Sequence, residues 1–323
     1  MFKTILAAGF VTIAASGGAQ ESNPAPPIIL HAASSNLLAM PTFGSFGNAQ
    51  CDSKGNLYFH AARTINDSLI LRLSQDGSHD IFALSSQDAA DVYFVAFRVA
   101  SDGRLWILNQ GQAGEIYVFD FSRDSQTPNR TLLQAPKDLK PRNFAVLKNG
   151  HTLLQGFFDE SVAPERRGRS YFAHFDLSGR LVRQALDEAS GDELKELAKV
   201  AAQGAAAIAD DGSVYILDQK TLLVVSQTGE ITQKIKLHYP EEGYVSRNLF
   251  VSENRIVVTY SKMVEMGRPL LNIYQLLDRS TGEQLGQYRP DDELGNRMVC
   301  FSRDGFTFIG VSSGRIKLMT AKP

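Results

Sequence analysis

The amino-acid sequence predicts an all-β fold: a six-bladed β-propeller with four-stranded blades. Three observations support this prediction: a recurring pattern of apolar runs and tight turns, a repeat length suited to one blade, and a last repeat that lacks one strand. Four-stranded propeller blades usually repeat every roughly 40–50 residues. A seven- or eight-bladed propeller and an array of β-sandwiches are the alternatives that the pattern leaves open.

The first turn of each repeat separates two β-rich runs. These turns end at Gly55, Gly103, Gly150, Gly212, Asn254 and Gly305. Successive turns lie 48, 47, 62, 42 and 51 residues apart. Asp-Gly and Asn-Gly pairs accept the positive φ that two-residue hairpin turns require, so each turn predicts a hairpin between the first and second strands of a blade.

A second set of turns predicts the hairpin between the third and fourth strands. These turns end at Gly77, Gly179, Gly229 and Gly282, while blade two has a looser connection over residues 122–129. The flanking runs are rich in Val, Ile, Leu, Tyr and Phe, as expected of strands packed between sheets.

The long third interval contains an insertion that predicts a short helix between blades three and four. Ser190 to Glu193 forms a capping box, and Leu194, Leu197 and Ala201 follow at helical spacing. Blade six has only three strands before the chain ends. We therefore expect the N-terminal run Ile28–His31 to supply the fourth strand beside Lys317, which closes a single domain over residues 28–323.

The N-terminal residues predict export. A basic start, an apolar run over residues 4–16 and the small residues Gly17 to Ala19 are typical of a signal peptide of residues 1–19, cleaved after Ala19. Residues 20–27 form a Pro-rich leader. The apolar run is shorter than the about 20 residues of a membrane-spanning helix, although an uncleaved anchor is the alternative. We expect a secreted or periplasmic protein without a transmembrane segment in the mature chain.

Long insertions fall on one face of the predicted propeller, where loops on a rigid scaffold commonly carry function. The inner strands begin at this face, so their first residues should surround the mouth of the central channel. The predicted mouth residues are Asn48, Arg142, Asn143, Gln203, Arg247, Asn248 and Arg297. Guanidinium groups bind carboxylate or sulfate in a bidentate manner. This pattern predicts a site for a small anionic ligand or a protein partner, unless these arginines pair with acids elsewhere.

The two cysteines, Cys51 and Cys300, lie on the predicted inner strands of blades one and six. Closure of the ring makes these blades neighbours, and an exported protein can keep a disulfide. The sequence therefore allows a disulfide between them. Two buried thiols are the alternative.

The turns at Leu73–Gly77 and Phe175–Gly179 carry a resemblance to known propellers. From about residue 28 to 323 the chain resembles the NHL-repeat, TolB-like and SMP-30/gluconolactonase-like superfamily of six-bladed propellers. Members of the last branch hold calcium or zinc through an early Glu-Gly-Pro, an Arg-Pro-Asn-Asp run and a late Asp. This chain has no Glu-Gly-Pro, and Lys140–Asn143 only scrambles the second motif. The resemblance implies an architecture and leaves lactonase activity in doubt.

The sequence assigns no catalytic residue. The six histidines show no paired metal-ligand spacing, and His60 stands out only because it ends a second strand at the loop-bearing face. Asp159, Glu160 and Asp218 are the candidates for a divalent metal site built from separate blades. The net charge of −2 offers no basic field for nucleic acid. The sequence favours an exported ligand- or protein-binding module, with a metal-dependent hydrolase, lactonase or lyase as the alternative.

Overall fold

The computed structural model describes most of the chain after the leader. The described residues are 26–39, 45–62, 68–84, 92–121, 127–158, 167, 169–186, 205–209, 211–217, 220–262, 271–302, 305–312 and 315–323. All regular structure within these ranges is β-strand, without any helix. The helix predicted over residues 190–201 lies outside them, as do the signal peptide and most of the leader.

The strands form six sheets, and in each sheet the chain-order neighbours pair antiparallel. Blades one to three contain β3 (Ser45–Cys51), β4 (Leu57–Ala62), β5 (Ser68–Leu73) and β6 (His79–Ala83); β7 (Val92–Val99), β8 (Leu105–Gly111), β9 (Ile116–Asp120) and β10 (Asn129–Leu133); β11 (Leu139–Val146), β12 (Thr152–Phe158), β13 (Ser170–Phe175) and β14 (Leu181–Leu186). Blades four to six contain β15 (Ala206–Ile208), β16 (Val214–Leu217), β17 (Thr221–Val225) and β18 (Ile231–Lys236); β19 (Val245–Val251), β20 (Arg255–Lys262), β21 (Leu271–Asp278) and β22 (Gln284–Pro290); β23 (Met298–Ser302), β24 (Gly305–Ser312) and β25 (Arg315–Ala321). The first segments of the chain, β1 (Ile28–Leu30) and β2 (Ser34–Ala39), join blades five and six.

Apolar clusters join each sheet to the next and close the sheets into a ring. Each of the six interfaces between successive blades has its own cluster of buried side chains. At the interface of blades six and one, Ile309 and Ile316 pack in one cluster with Leu57, Phe59 and Leu73. Side chains buried on both faces of every sheet explain why the strands are nearly continuous apolar runs.

The predicted tight turns are confirmed by the backbone. The nine glycines expected to end these turns all have positive φ, from 75° at Gly282 to 131° at Gly305. Gly103 is a clear example, since its φ of 87° accompanies a backbone hydrogen bond to the carbonyl of Ala100. Both sets of tight turns therefore lie on one face of the propeller, as the repeat predicted. The second strand of each blade leads to the third at the opposite face.

The N-terminal segments do not lie as the sequence predicted. Ile28–Leu30 pairs parallel with β22 in blade five, where Ile29 lies opposite Arg289, so the predicted place of Ile28–His31 beside Lys317 is wrong. The run Ser34–Ala39 takes that position instead, pairing antiparallel with β25 so that Leu37 lies opposite Lys317. The prediction failed because the apolar character of a short run does not specify which sheet edge it joins, and the longer, more polar run that follows takes the edge of blade six. An outermost strand has one face exposed to solvent and tolerates Ser and Asn there.

A disulfide links the inner strands of blades one and six. It joins Cys51 to Cys300 across 249 residues of sequence, with the Cα atoms 5.5 Å apart. Cys300 is buried in the same cluster that holds Leu38 of β2 against blade one. The crosslink and the cluster therefore stabilise one and the same blade interface.

We expect Leu38→Ala to destabilise the fold far more than Leu37→Ala. Leu38 is 6% exposed and packs between blades six and one, whereas Leu37 is 55% exposed. Truncation of a buried Leu costs about 2–5 kcal/mol, and a surface substitution changes stability by about 0.5 kcal/mol at most. Urea unfolding of both variants checks this; equal losses would contradict the assigned register of β2.

We also expect the double variant Cys51→Ala/Cys300→Ala to lose about 4–5 kcal/mol of unfolding free energy, because a crosslink that closes so long a loop restricts the unfolded chain. Denaturant unfolding with and without reductant checks this. Reductant should weaken the unaltered protein and leave the variant unchanged. Two free thiols in the unreduced protein, counted by mass spectrometry after alkylation, would contradict the crosslink.

Candidate functional site

The inner strands carry β-bulges where they approach the mouth of the channel. In β11 the extra residue is Arg142, between the paired residues Pro141 and Asn143. In β19 the extra residue is Arg247, between Ser246 and Asn248. A bulge takes one residue out of the ladder and redirects its side chain, which is why bulges are frequent beside binding sites. Two arginines at equivalent bulges of blades three and five are thus presented at the channel.

A cavity of about 370 Å³ lies at this end of the channel, lined by inner-strand residues of all six blades. Four of the described lining residues are arginines: Arg98, Arg142, Arg247 and Arg297. No described lining residue is Asp or Glu. The described part of the mouth wall therefore carries four positive charges and no negative one.

Apolar residues form the floor of this mouth cavity. Val99, Ile208, Val251 and Phe301 line both it and a second cavity of about 600 Å³, which extends to the tight-turn face. Apolar walls lower the local dielectric constant, so an anion at the arginines interacts with them more strongly than it would in open water.

The structure brings together five of the predicted mouth residues, namely Arg142, Asn143, Arg247, Asn248 and Arg297. Arg142, Arg247 and Asn248 are exposed, Arg297 is half-buried, and Asn143 is only 4% exposed. The Asn143 side chain points back along its own strand, because its Oδ1 accepts a hydrogen bond from the Phe144 amide. The side chain of Asn48 and the whole of Gln203 lie outside the described residues, as do the metal candidates Asp159, Glu160 and Asp218.

Arg142 is held in place by an aromatic ring. Its guanidinium carbon lies 4.7 Å from the ring centre of Phe157 on β12, a cation–π contact that restricts the side chain and leaves its hydrogen-bond donors available. The close approach of the two strands beside the bulge requires glycine at position 156, since a Cβ atom there would lie 2.5 Å from the Lys140 carbonyl oxygen.

Sequence reasoning missed Arg98, which is the next-to-last residue of β7. Its Nε donates to the Phe144 carbonyl at 2.9 Å and its Nη1 donates to the Phe97 carbonyl at 2.7 Å. Arg98 thereby connects the inner strands of blades two and three, while burial lowers its pKa to about 10. It remains charged at neutral pH. Only the alternation of charged and apolar residues in Phe97, Arg98 and Val99 could have indicated an inward-facing cation.

Gln50 makes a similar connection between blades one and two. Its Nε2 donates to the Phe97 carbonyl at 2.8 Å, and its Oε1 accepts from the Val99 amide at 3.0 Å. The amide side chain thus replaces a missing strand-to-strand contact at the channel wall. Together, Gln50 and Arg98 link the inner strands of blades one, two and three.

Buried polar atoms without partners recur just behind the mouth. Within the described residues they include atoms of His60, Asn109, Gln155 and Thr259. Each is the fourth or fifth residue of the second strand of its blade, and three of them lie opposite a residue next to an inner-strand bulge. A buried donor or acceptor without a partner costs about 1–3 kcal/mol. Four such groups at similar positions indicate a region arranged for something other than stability.

His60 is part of this group. Its ring stacks on Phe94 of the next blade, with the ring centres 3.7 Å apart and the planes at 4°. Burial lowers its pKa, so the imidazole is neutral at pH 7 and its buried Nε2 has no partner among the described residues.

The aspartate of the turn at Gly179 stabilises the turn itself. The Oδ1 of Asp176 accepts hydrogen bonds from the Ser178 amide, the Ser178 hydroxyl and the Arg180 amide. These donors, the Ser178 hydroxyl first, lower the pKa of Asp176 to about 2. No group of three or more His, Cys, Asp or Glu that could hold a metal is found in the described part of the chain.

Comparison with known proteins finds relatives by structure only. No protein-family profile and no curated protein matches the chain. A solved structure described as a putative gluconolactonase has 12% identity and a TM-score of 0.51, covering 90% of this chain and 97% of its own. The WD40 domain of Pan2 from Neurospora crassa has 11% identity and a TM-score of 0.49, covering 92% and 98%. A Bacteroides caccae protein of unknown function has 13% identity and a TM-score of 0.47, covering 76% and 81%.

The chain is a six-bladed β-propeller. Likeness at such low identity concerns the fold alone, so activity must be argued from the residues of this propeller.

A histidine pair lies on the tight-turn side of the propeller, away from the mouth. Nδ1 of His151 lies 2.9 Å from Nε2 of His174, and Nδ1 of His174 is buried without a partner among the described residues. Burial, His151 and the nearby Arg183 lower the pKa of His174 to about 4. The pair fills the space between blades three and four and makes a pH-dependent contribution to stability.

We expect this contribution to appear below neutral pH. Since the folded state binds a proton at His174 less readily than the unfolded chain, whose His titrates near 6.5, stability falls as the pH drops from 6.5 towards 4. The loss should be about 1–3 kcal/mol, and it should be absent in His174→Gln but retained when the exposed His79 is replaced by Gln. Urea unfolding at pH 7, 5.5 and 4.5 measures it. An unchanged pH slope in His174→Gln would contradict the assignment.

Proposed function

We propose that this propeller is an exported module that binds a small anionic ligand at the arginine-lined mouth of its channel. The observation that carries the proposal is the cavity of about 370 Å³ with four arginines and no acidic residue in its described wall. A recessed site suits a small molecule or the anionic group of a protein partner that can reach into the channel. The small molecule is the simpler occupant because the cavity is concave.

The arginines differ in what they contribute. Arg98 is committed to the Phe97 and Phe144 carbonyls, so it supplies charge from behind. Arg142 and Arg247 are exposed at their bulges and supply hydrogen-bond donors to the ligand. Hydrogen bonds to charged groups contribute about 1.5–3 kcal/mol each, so two such contacts alone correspond to a dissociation constant between roughly a few millimolar and tens of micromolar.

Export is part of this proposal. The apolar run over residues 4–16 followed by small residues supports a signal peptide cleaved after Ala19, and therefore a secreted or periplasmic site of action. A disulfide between Cys51 and Cys300 fits an oxidising compartment. Within the described residues, no helix has the length and apolar character needed to span a membrane.

We expect the double variant Arg142→Gln/Arg247→Gln to bind sulfate and citrate at least 100-fold more weakly than the unaltered protein, because both exposed donors are removed. Arg104→Gln is the control, since Arg104 pairs with Asp102 at a tight turn. It removes one positive charge, so its charge change matches that of the single variants Arg142→Gln and Arg247→Gln, with which it is compared. Isothermal titration calorimetry at low and high salt measures binding, which should weaken with salt.

Unaltered anion binding in the double variant would exclude the mouth as the site. Equal weakening by Arg104→Gln and by either mouth variant would show a nonspecific charge effect and would equally overturn the proposal. Circular dichroism and the unfolding midpoint confirm that each variant is folded.

The alternative, a metal-dependent hydrolase, lactonase or lyase, makes an opposite prediction. Its candidate ligands Asp159, Glu160 and Asp218 are outside the described residues, so the alternative is tested by biochemical measurement. Metal analysis of the purified protein, with a panel of lactones and esters tested before and after chelation, distinguishes the two. We expect no stoichiometric metal and no chelator-sensitive turnover. Stoichiometric metal found together with chelator-sensitive turnover would replace the binding proposal by the enzymatic one.

A further inference from the structure

A side pocket of about 490 Å³ opens from the mouth between blades five and six. Arg247, Asn248, Arg297 and Met298 line both this pocket and the mouth cavity, so the two are continuous. The remaining wall comes mainly from the second and third strands of blade five. No described residue that lines the pocket is Asp, Glu or Lys.

The face of blade five that meets blade six changes character at this pocket. Towards the tight-turn side, Val257 and Leu276 pack in one apolar cluster with residues of blade six. Two and four residues further along β20, on the same face, the sequence has Thr259 and Ser261. Asn272 lies opposite Ser261 on β21. The second and third strands of blade five, apolar elsewhere on this face, are therefore polar and uncharged where they line the pocket.

Most of these polar groups are fixed by one another. The Ser261 hydroxyl donates to the Asn272 Oδ1 at 2.7 Å, and the Asn272 Nδ2 donates to the Asn296 carbonyl at 2.6 Å. The amide is thus held in one orientation across the gap between the blades. Such fixed dipoles are typical of sites that recognise a ligand by hydrogen bonds.

Thr259 is the exception. It is only 5% exposed, it lines the pocket, and its hydroxyl oxygen has no hydrogen-bond partner among the described residues. A valine would fill the same volume without the cost of an unsatisfied buried hydroxyl, which is about 1–3 kcal/mol. Folding gives no reason for a hydroxyl at this position, whereas a ligand that hydrogen-bonds to it does.

We propose that the side pocket is a subsite for an uncharged hydrogen-bonding arm, a hydroxyl or an amide, of the ligand whose anionic end is held at the mouth, where Arg247 borders both cavities. This inference rests on the proposed anion-binding function and extends it. The ligand class is a small acid that carries a neutral polar arm, and Thr259 determines specificity for that arm. A site built around such a hydroxyl rejects analogues whose arm is apolar, because the buried hydroxyl is then left without a partner.

The test compares three carboxylates of similar length: pentanoate with an apolar arm, 4-hydroxybutyrate with a hydroxyl and succinamate with an amide. Titration calorimetry measures each with the unaltered protein, Thr259→Val and Thr259→Ser. We expect 4-hydroxybutyrate or succinamate to bind the unaltered protein at least ten times more tightly than pentanoate. The preferred probe tells which arm the pocket takes.

The variants should separate the arm from the anion. Thr259→Val should reduce the preference to less than threefold while pentanoate affinity stays within twofold, and Thr259→Ser should retain the preference. The unfolding midpoint of Thr259→Val should not fall, because no structural hydrogen bond is lost.

The outcomes distinguish the two proposals. Failure of all three carboxylates to bind would overturn the subsite, and failure of sulfate and citrate as well would overturn the anion-binding function. Binding of pentanoate as tightly as both polar probes would overturn the subsite alone. A preference that persists unchanged in Thr259→Val would likewise overturn the assignment of Thr259.

Discussion

Closure of the ring is the constraint on which the rest of this structure depends. A central channel exists only if blade six meets blade one, and two features act at that interface: the apolar cluster around Leu38 and the Cys51–Cys300 disulfide. The pairing of β2 with β25 completes blade six and places Leu38 in that cluster. Because the disulfide lies on the inner strands, it fixes the two strands that border the channel. Opening this interface would separate the arginine-bearing strands and abolish the mouth.

The mouth combines rigidity with polar groups that the fold leaves unsatisfied. Gln50 and Arg98 connect the inner strands of blades one, two and three through backbone carbonyls and amides, so the bulge that presents Arg142 lies on a strand tied to its neighbour. Behind them, the partnerless atoms of residues such as Gln155 and Thr259 keep a free energy cost that a bound ligand could offset. Natural proteins violate packing rules chiefly where function requires it, and among the described residues every such atom except Nδ1 of His174 lies in this one region.

The polar rim was predictable because propeller geometry assigns the start of every inner strand to one face. Arg142, Arg247 and Arg297 followed from that rule once the turns had been placed. Arg98 did not, because it lies near the end of its inner strand and not at the start, where that rule places the mouth residues. Thr259 and its neighbours could not be found either, since a Thr and a Ser in a β-rich run are equally compatible with a solvated strand.

The sequence by itself predicted six blades and the nine glycine turns that end their hairpins, because glycine turns and strand periodicity are local properties. Only the tertiary structure decided which N-terminal run joins blade six, which arginines converge, and that a polar pocket opens between blades five and six. Those features depend on contacts between residues that are distant along the chain. The hydrophobic pattern of one strand does not specify which neighbour it will meet.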